Sequence, residues 1–316
     1  RKYRNALAET GFTFEYSATF GQALSAAGDD ELTRDYGKAI LFDYSYRYFY
    51  GDGFGKDFRI LNLRDETDEE KTDLLLLGNL LSFYEQLRLF EEQGDALRAY
   101  NLEKPLWVFV GSTVNAVSTE NKQKRSDVLN VARFLHRVLE NKHDWAVKGI
   151  EALLKGKSGL VTPDGMDLFA GRFAYLQEIG QTAKFLYLDI LKRVFHTPAS
   201  GGLHLCTIRA SAGELGLKAA GAEAYFGLIY IGDTTEFKKL VETDPSNITM
   251  EEDALSSSLF DDINQPDTPL NILIGAKKFM EGWNSWRVSN MGLLKIGQQE
   301  GSQIIQLFGR GVRLKG

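Results

Sequence analysis

The 316-residue sequence predicts an α/β protein built on a largely parallel sheet. Three observations carry that prediction. Pro105 introduces a short apolar run, Leu106 to Val110, closed by Gly111 and Ser112, which is how a strand buried on both faces reads. The runs Asn271–Gly275 and Val288–Leu294 are each followed by a helical candidate, and such alternation implies parallel neighbours joined by crossovers. Leu203–Ile208, Glu214–Lys218 and Tyr225–Ile231 add three strand-like runs separated by glycine-rich turns.

The other elements follow in chain order. Residues 12–18 read as a strand ending in a small-residue turn, and a helix is expected from Thr33 to about Tyr50, broken by Gly51, Gly53 and Gly55. Phe58–Leu63 alternates as a strand does. Thr67–Tyr100 has helical spacing with acids in its first turn, and a kink is expected near Gly78 or Gly94. A helix over Ser126–Leu139 should follow the central strand, with the basic run Lys122–Arg125 as its solvated start or, alternatively, a phosphate contact. Residues 141–200 are mostly helical by pattern, with an apolar stripe from Ala183 to Val194. The Ser-, Asp- and Pro-rich stretch 252–269 reads as a mobile loop or linker.

Composition narrows the function classes. A net charge of −6 argues against a protein that coats nucleic acid, yet leaves room for a local basic groove. Cys206 is the lone cysteine, so there is no internal disulfide, and the four histidines (His136, His143, His196, His204) lack the spacing of a zinc site. No metal site is expected, and a cytoplasmic location suits the single thiol. No run approaches the ~18 apolar residues of a membrane span, so no membrane partner is expected. The chain begins without Met inside an amphipathic segment and ends just after a charged motif; both ends read as cut from a longer protein.

The densest chemistry lies in Gln306-Leu-Phe-Gly-Arg-Gly-Val-Arg313. Gln306, Arg310 and Arg313 stand at i, i+4 and i+7, which places an amide and two guanidiniums on one helical face. Gly309 and Gly311 remove side chains beside the arginines and let a phosphate or another backbone come close. Two guanidiniums aimed from one rigid element suit phosphoryl transfer, where charge spreads over the γ-phosphoryl oxygens. The plainer reading is a cationic helix end favoured by the helix dipole.

These residues resemble motif VI of superfamily 2 helicases, and the string through Leu314 is similar to the Res subunits of type III restriction enzymes. Three further segments fall in that family's order. Tyr16-Ser-Ala-Thr19 resembles motif III, Leu106–Thr113 resembles motif IV, and Asn271 to Asn284, ending Glu-Gly-Trp-Asn, resembles motif V. The resemblance implies a RecA-like sheet forming the second helicase lobe, with a helical connector and a helical and β-hairpin insertion. Residues 1–103 would be the end of the first lobe plus the connector. Residues 104–316 would be the second lobe, with the insertion at about 141–235, the least typical part.

It further implies that Arg310 and Arg313 contact the γ-phosphate of ATP while Gln306 orients the site. Gly282, Asn284 and Gly309 would lie at the nucleotide, Asn284 replacing the family's usual acid. Ser17, Thr19, Gly111, Ser112 and Thr113 would couple to or touch nucleic acid. The implied cofactors are ATP and Mg2+, held mainly by a first lobe upstream of Arg1. DNA is the expected partner ahead of RNA, and a methyltransferase or specificity subunit is a further one. Lys277 and Lys278 are candidate phosphate contacts or a solvated helix start. Trp283 and Trp286 could stack bases, against core or interface packing for them and for Trp107 and Trp145.

No phosphate-binding P-loop is present. Gly51-Asp-Gly-Phe-Gly-Lys-Asp57 imitates one, but its spacing is short and Asp57 would repel a triphosphate, so it reads as a glycine-rich turn. Asp65-Glu-Thr-Asp68 imitates a magnesium-binding acid pair in the wrong order, and reads as a helix N-terminus with dipole-matched acids. Two rivals stay open. One is an α/β nuclease or phosphate-binding hydrolase; Pro163-Asp164 would start its acidic constellation, but no matching Glu-x-Lys follows. The other is a RecA-like interaction module without catalysis.

Overall fold

The computed structural model describes residues 2–61, 68–111, 118–120, 123–276, 283–294 and 302–315. Its strands are β1 (Leu106–Gly111), β2 (Ser118–Glu120), β3 (Gln123–Arg125), β4 (Leu203–Ile208), β5 (Glu214–Ala219), β6 (Gly227–Tyr230), β7 (Thr249–Asp253), β8 (Ile272–Ala276) and β9 (Val288–Leu294). Seven of them form one sheet in the order β7-β4-β5-β6-β8-β1-β9, and β2 pairs with β3 as a separate hairpin. The pairs β9/β1, β1/β8, β8/β6 and β4/β7 are parallel, whereas β5 runs against both β4 and β6. The fold is therefore α/β with a mixed, mostly parallel sheet. The three strand-like runs between 203 and 231 join the main sheet.

β1 sits between β8 and β9 and is buried along its whole length, as its uninterrupted apolar sequence requires. Trp107 and Phe109 face one side, where the helices Glu69–Glu92, Asp127–Glu140, Trp145–Leu154 and Ala183–Arg193 pack. Trp107 stacks on Phe83 at 6.0 Å and meets Phe109 at 4.6 Å. Leu106, Val108 and Val110 face the other side, against Leu273, Ile263, Trp283 and Leu307 of the last helix, Ser302–Gly311. Fully burying each such side chain stabilises the fold by about 1.5–3 kcal/mol, so β1 nails both layers together.

Several expected elements take a different form. Residues 12–18 form no strand, because no neighbouring strand accepts their backbone, and Phe12, Phe14 and Tyr16 are exposed. Phe58–Leu61 is likewise irregular, and the rest of that run lies outside the described residues. The single helix expected from Thr33 to Tyr50 is two helices, Asp30–Gly37 and Tyr46–Gly51; Asp29 caps the first by accepting the Leu32 amide at 2.9 Å. Within the basic run, Gln123–Arg125 is strand rather than helix start, since Ser126 caps the helix that follows. Helix Thr235–Glu242 and edge strand β7 went unread, the latter because Thr-Met-Glu-Glu-Asp carries no apolar alternation. The 252–269 stretch is tied down by the buried Glu214 carboxylate, which accepts from the Ser258 hydroxyl at 2.7 Å and the Leu259 amide at 2.8 Å.

Helix Glu69–Glu92 passes Gly78 without a break and ends before Gly94. Asp68 caps it by accepting the Lys71 amide at 3.1 Å, and Asp65–Thr67 lie outside the described residues. Gly78 is there for space: an added Cβ would lie 2.2 Å from Cζ of Phe169. Gly78→Ala should therefore destabilise the fold by about 1–3 kcal/mol by overpacking, although alanine is the better helix former by about 1 kcal/mol. Urea unfolding would check this, and an unchanged or higher midpoint would refute it. Among the described residues no helix is long and apolar enough to cross a membrane.

Candidate functional site

The last helix and the stretch just past it deliver Arg310 and Arg313 to one short segment, Trp283–Val288. This segment precedes β9, whose first residue pairs with the first residue of β1, so it lies at the amino edge of the sheet. Helix Ser302–Gly311 packs along β9 and ends there, with a Cβ at Gly311 falling 3.6 Å from Val288. Arg310 closes the helix, and its guanidinium donates to the Trp283 carbonyl. Arg313 lies past the helix end, in an extended stretch bridged to Gly55, so the expected single helical face for Gln306, Arg310 and Arg313 stops after Arg310. The pairing of the 312–314 backbone with the glycine-rich turn is what ends the helix.

Arg313 nevertheless reaches the same segment. Its Nη2 donates to the Asn284 side-chain oxygen, and its guanidinium lies 4.9 Å from the Trp286 ring centre. Its Nε is buried and meets no acceptor among the described residues. Burial, and then the charge of Arg310, lower its pKa.

Three further cations surround this edge, each held by backbone carbonyls. Lys56 donates to the carbonyls of Val288 at 2.8 Å and Trp286 at 3.2 Å. Lys104 donates to the Thr268 carbonyl at 2.8 Å. Arg287, 2% exposed, donates to the carbonyls of Lys104 at 2.9 Å, Leu270 at 2.6 Å and Ile263. Burial lowers all three, Lys56 and Lys104 to about 8 and Arg287 to about 10. Glu103 partly offsets the charge and pairs with Lys315 at 2.7 Å. Carbonyl dipoles satisfy these donors without cancelling their charge, so the edge is a place where an anion would be stabilised. The negative net charge of the chain hides this local excess.

The other expected residues are placed as follows. Gln306 is exposed on the last helix, and Gly309 is exposed with open space where a Cβ would stand, so its lack of a side chain serves no contact among the described residues. Asn284 joins the arginines. Gly111 is buried at the carboxyl end of β1, opposite the edge that holds them. Ser17 is exposed, and its hydroxyl accepts the Thr19 amide at 3.2 Å within a local turn. Gly282, Ser112, Thr113, Lys277, Lys278 and Lys122 lie outside the described residues. Trp107 is core, and Trp145 donates to Glu70 at 2.8 Å while receiving Arg137 on its ring. Trp283 is buried and Trp286 carries Arg313, so packing accounts for the first and the arginine for the second. Sequence reading missed Lys56 and Arg287, although a lysine inside a glycine-rich turn was the available signal for the former.

A cleft on the helix-covered face, lined by Asp73, Arg133, His136, Arg137, Glu140 and Asp244, is a network of internal charge pairs. Arg137 pairs with Asp73 at 2.7 Å and Glu70 at 2.8 Å. Nδ1 of His136 accepts the Leu203 amide at 3.0 Å, so the neutral ring carries its proton on Nε2, 3.2 Å from Glu140. Burial lowers its pKa from 6.5, with Glu140 opposing. The unfolded chain then takes up the proton more readily, so stability present above 6.5 is lost as pH falls from there through the lowered folded value. His196, lowered by burial too, adds to that loss. His136→Gln should flatten part of it between about pH 7.5 and 5.5, read by urea unfolding; an identical pH slope would sink the assignment.

Compared with known proteins, the chain matches no family model, no curated protein and no solved structure.

Proposed function

We propose that this chain is part of a superfamily 2 DNA helicase or translocase, close in kind to type III restriction Res subunits, with residues 1–103 the end of the first lobe plus a helical connector and residues 104–316 the second RecA-like lobe. In this reading it supplies the arginine half of an ATP site whose other half, with Mg2+, belongs to a first lobe. The observation that carries it is the meeting of two segments: Arg310 donates to the Trp283 carbonyl and Arg313 to the Asn284 side chain. Those are the two stretches that resemble motifs VI and V, and they converge beside a mostly parallel sheet.

The chemistry follows from the donors. A guanidinium is a fixed fork that matches phosphate oxygens, and each charge-assisted bond is about twice as strong as a neutral one. Among the described residues Arg313 holds only a neutral amide oxygen and a ring face, with no acceptor for Nε, so a phosphoryl group would outcompete these partners. The amino-edge location is no obstacle. Ligands of open α/β sheets sit over carboxyl ends, but a finger reaching a nucleotide on another lobe need not. Nucleic acid would then track the opposite edge, near Gly111 at the end of β1. Lobe closure would couple hydrolysis to stepping along a DNA strand.

The test is DNA-stimulated ATP hydrolysis by the full-length protein with Arg310→Ala and Arg313→Ala beside it. Unchanged turnover in both would reject the reading.

A further inference from the structure

The glycine-rich turn after helix Tyr46–Gly51 is docked on the residue that carries the second guanidinium. The Lys56 amide donates to the Val312 carbonyl at 2.5 Å, and the Leu314 amide donates to the Phe54 carbonyl at 2.8 Å. Gly55 and Arg313 thus face each other across an antiparallel bridge. Gly55 is buried, and a Cβ there would lie 3.2 Å from both the Tyr50 Cα and the Tyr46 hydroxyl, so a side chain would press on the turn. Phe58 packs on Phe308 with ring centres 5.9 Å apart, extending the contact onto the last helix.

Beyond the bridge, the Lys56 ammonium reaches the carbonyls of Trp286 and Val288. Those carbonyls flank Arg287 in the segment that receives Arg310 at Trp283 and Arg313 at Asn284 and Trp286. One lysine therefore joins both pieces of chain that set the guanidinium positions, the 312–314 stretch through its backbone and the 283–288 stretch through its side chain. We infer that Lys56 is a positioning residue for the Arg310–Arg313 pair, fixing the distance between the two guanidiniums.

An ammonium suits that task because it has three donors on a compact centre and no acceptor, so two carbonyls can share it. Burial lowers its pKa to about 8, with Glu103 opposing and Arg313 adding, so a charged group is retained there against its desolvation. The imitation of a phosphate-binding loop thereby acquires another meaning. Its lysine is spent on carbonyls and its glycine on close packing.

The inference rests on the reading that these arginines serve phosphoryl transfer, and its test separates the two. Lys56→Met keeps the length and removes the donors; Lys56→Arg restores donors. Among the described residues the fully buried members of the apolar clusters begin at Leu77, so the core should fold in both, which thermal unfolding verifies. In the 316-residue chain, Lys56→Met should speed hydrogen exchange at the Leu314 and Val288 amides, and Lys56→Arg should restore protection. In the full-length protein, Lys56→Met should lower kcat for DNA-stimulated hydrolysis by about 10–100-fold, with KM for ATP changed less than about twofold, because misplacement of a charge-stabilising group acts on the transition state. Lys56→Arg should recover most of that loss.

Unchanged exchange in Lys56→Met overturns the inference. So does faster exchange with unaltered kcat in a protein whose turnover Arg313→Ala abolishes. If Arg310→Ala and Arg313→Ala both leave turnover intact, the phosphoryl-transfer reading fails, and the positioning role falls with it.

Discussion

Arg313→Ala is expected to lower DNA-stimulated ATP turnover of the full-length protein by roughly 10³-fold, about 4 kcal/mol of barrier. The magnitude follows from where the charge is needed. In phosphoryl transfer the protein does little covalent chemistry, so stabilising the spreading negative charge dominates. Among the described residues Arg313 has a buried Nε without an acceptor and a weak neutral partner in Asn284, and therefore has donors to give. Arg310→Ala should act in the same direction, since its guanidinium converges on the same segment through the Trp283 carbonyl. Arg313→Lys keeps the charge but loses the planar fork, and should recover only part of the activity. KM for ATP should move far less than kcat in each variant, because the interaction strengthens in the transition state. Steady-state kinetics at saturating DNA would read these values.

The largest effect on stability is expected at Arg287. Arg287→Met should destabilise the fold by about 3 kcal/mol, since buried carbonyls left without donors cost about 1–3 kcal/mol each and the relieved desolvation of the charge offsets part of that. The carbonyls concerned belong to Lys104, Ile263 and Leu270. Lys104 leads into β1 and Leu270 into β8, while Arg287 itself leads into β9. One guanidinium therefore ties together the amino ends of three neighbouring strands. For a chain of 316 residues a fall in the unfolding midpoint of roughly 4–5 °C should accompany the loss. A variant that melts with the wild type would refute the account. Arg287 also stands between the two residues whose carbonyls take Lys56, so the same substitution should loosen the arginine edge.

Much of the α/β character was legible because buried parallel strands need uninterrupted apolar runs. β1, β4, β5, β6, β8 and β9 all announce themselves that way or by alternation. Polar β7 did not, because an edge strand is stabilised by its neighbour's backbone rather than by its own side chains. The reverse error occurred at residues 12–18, where alternation without a neighbour produced no strand. The arginine motif was likewise visible as spacing, since residues ten or fewer apart share a local geometry. What spacing could not supply was the partner of each guanidinium, and helical extrapolation misplaced Arg313 because its backbone pairs with residues some 260 positions earlier.

By itself, then, the sequence determined which stretches could be buried on both sides of a sheet, and which short segment concentrated cationic donors. Those properties depend on local pattern, whose free energies are set by residues a few positions apart. Only the tertiary structure decided that the arginines lie at the amino edge of the sheet, opposite Gly111, and that Lys56 and Arg287 share that edge with them. The physical reason is that carbonyl acceptors are present at every residue. Which of them a buried cation finds depends on how distant backbones cross.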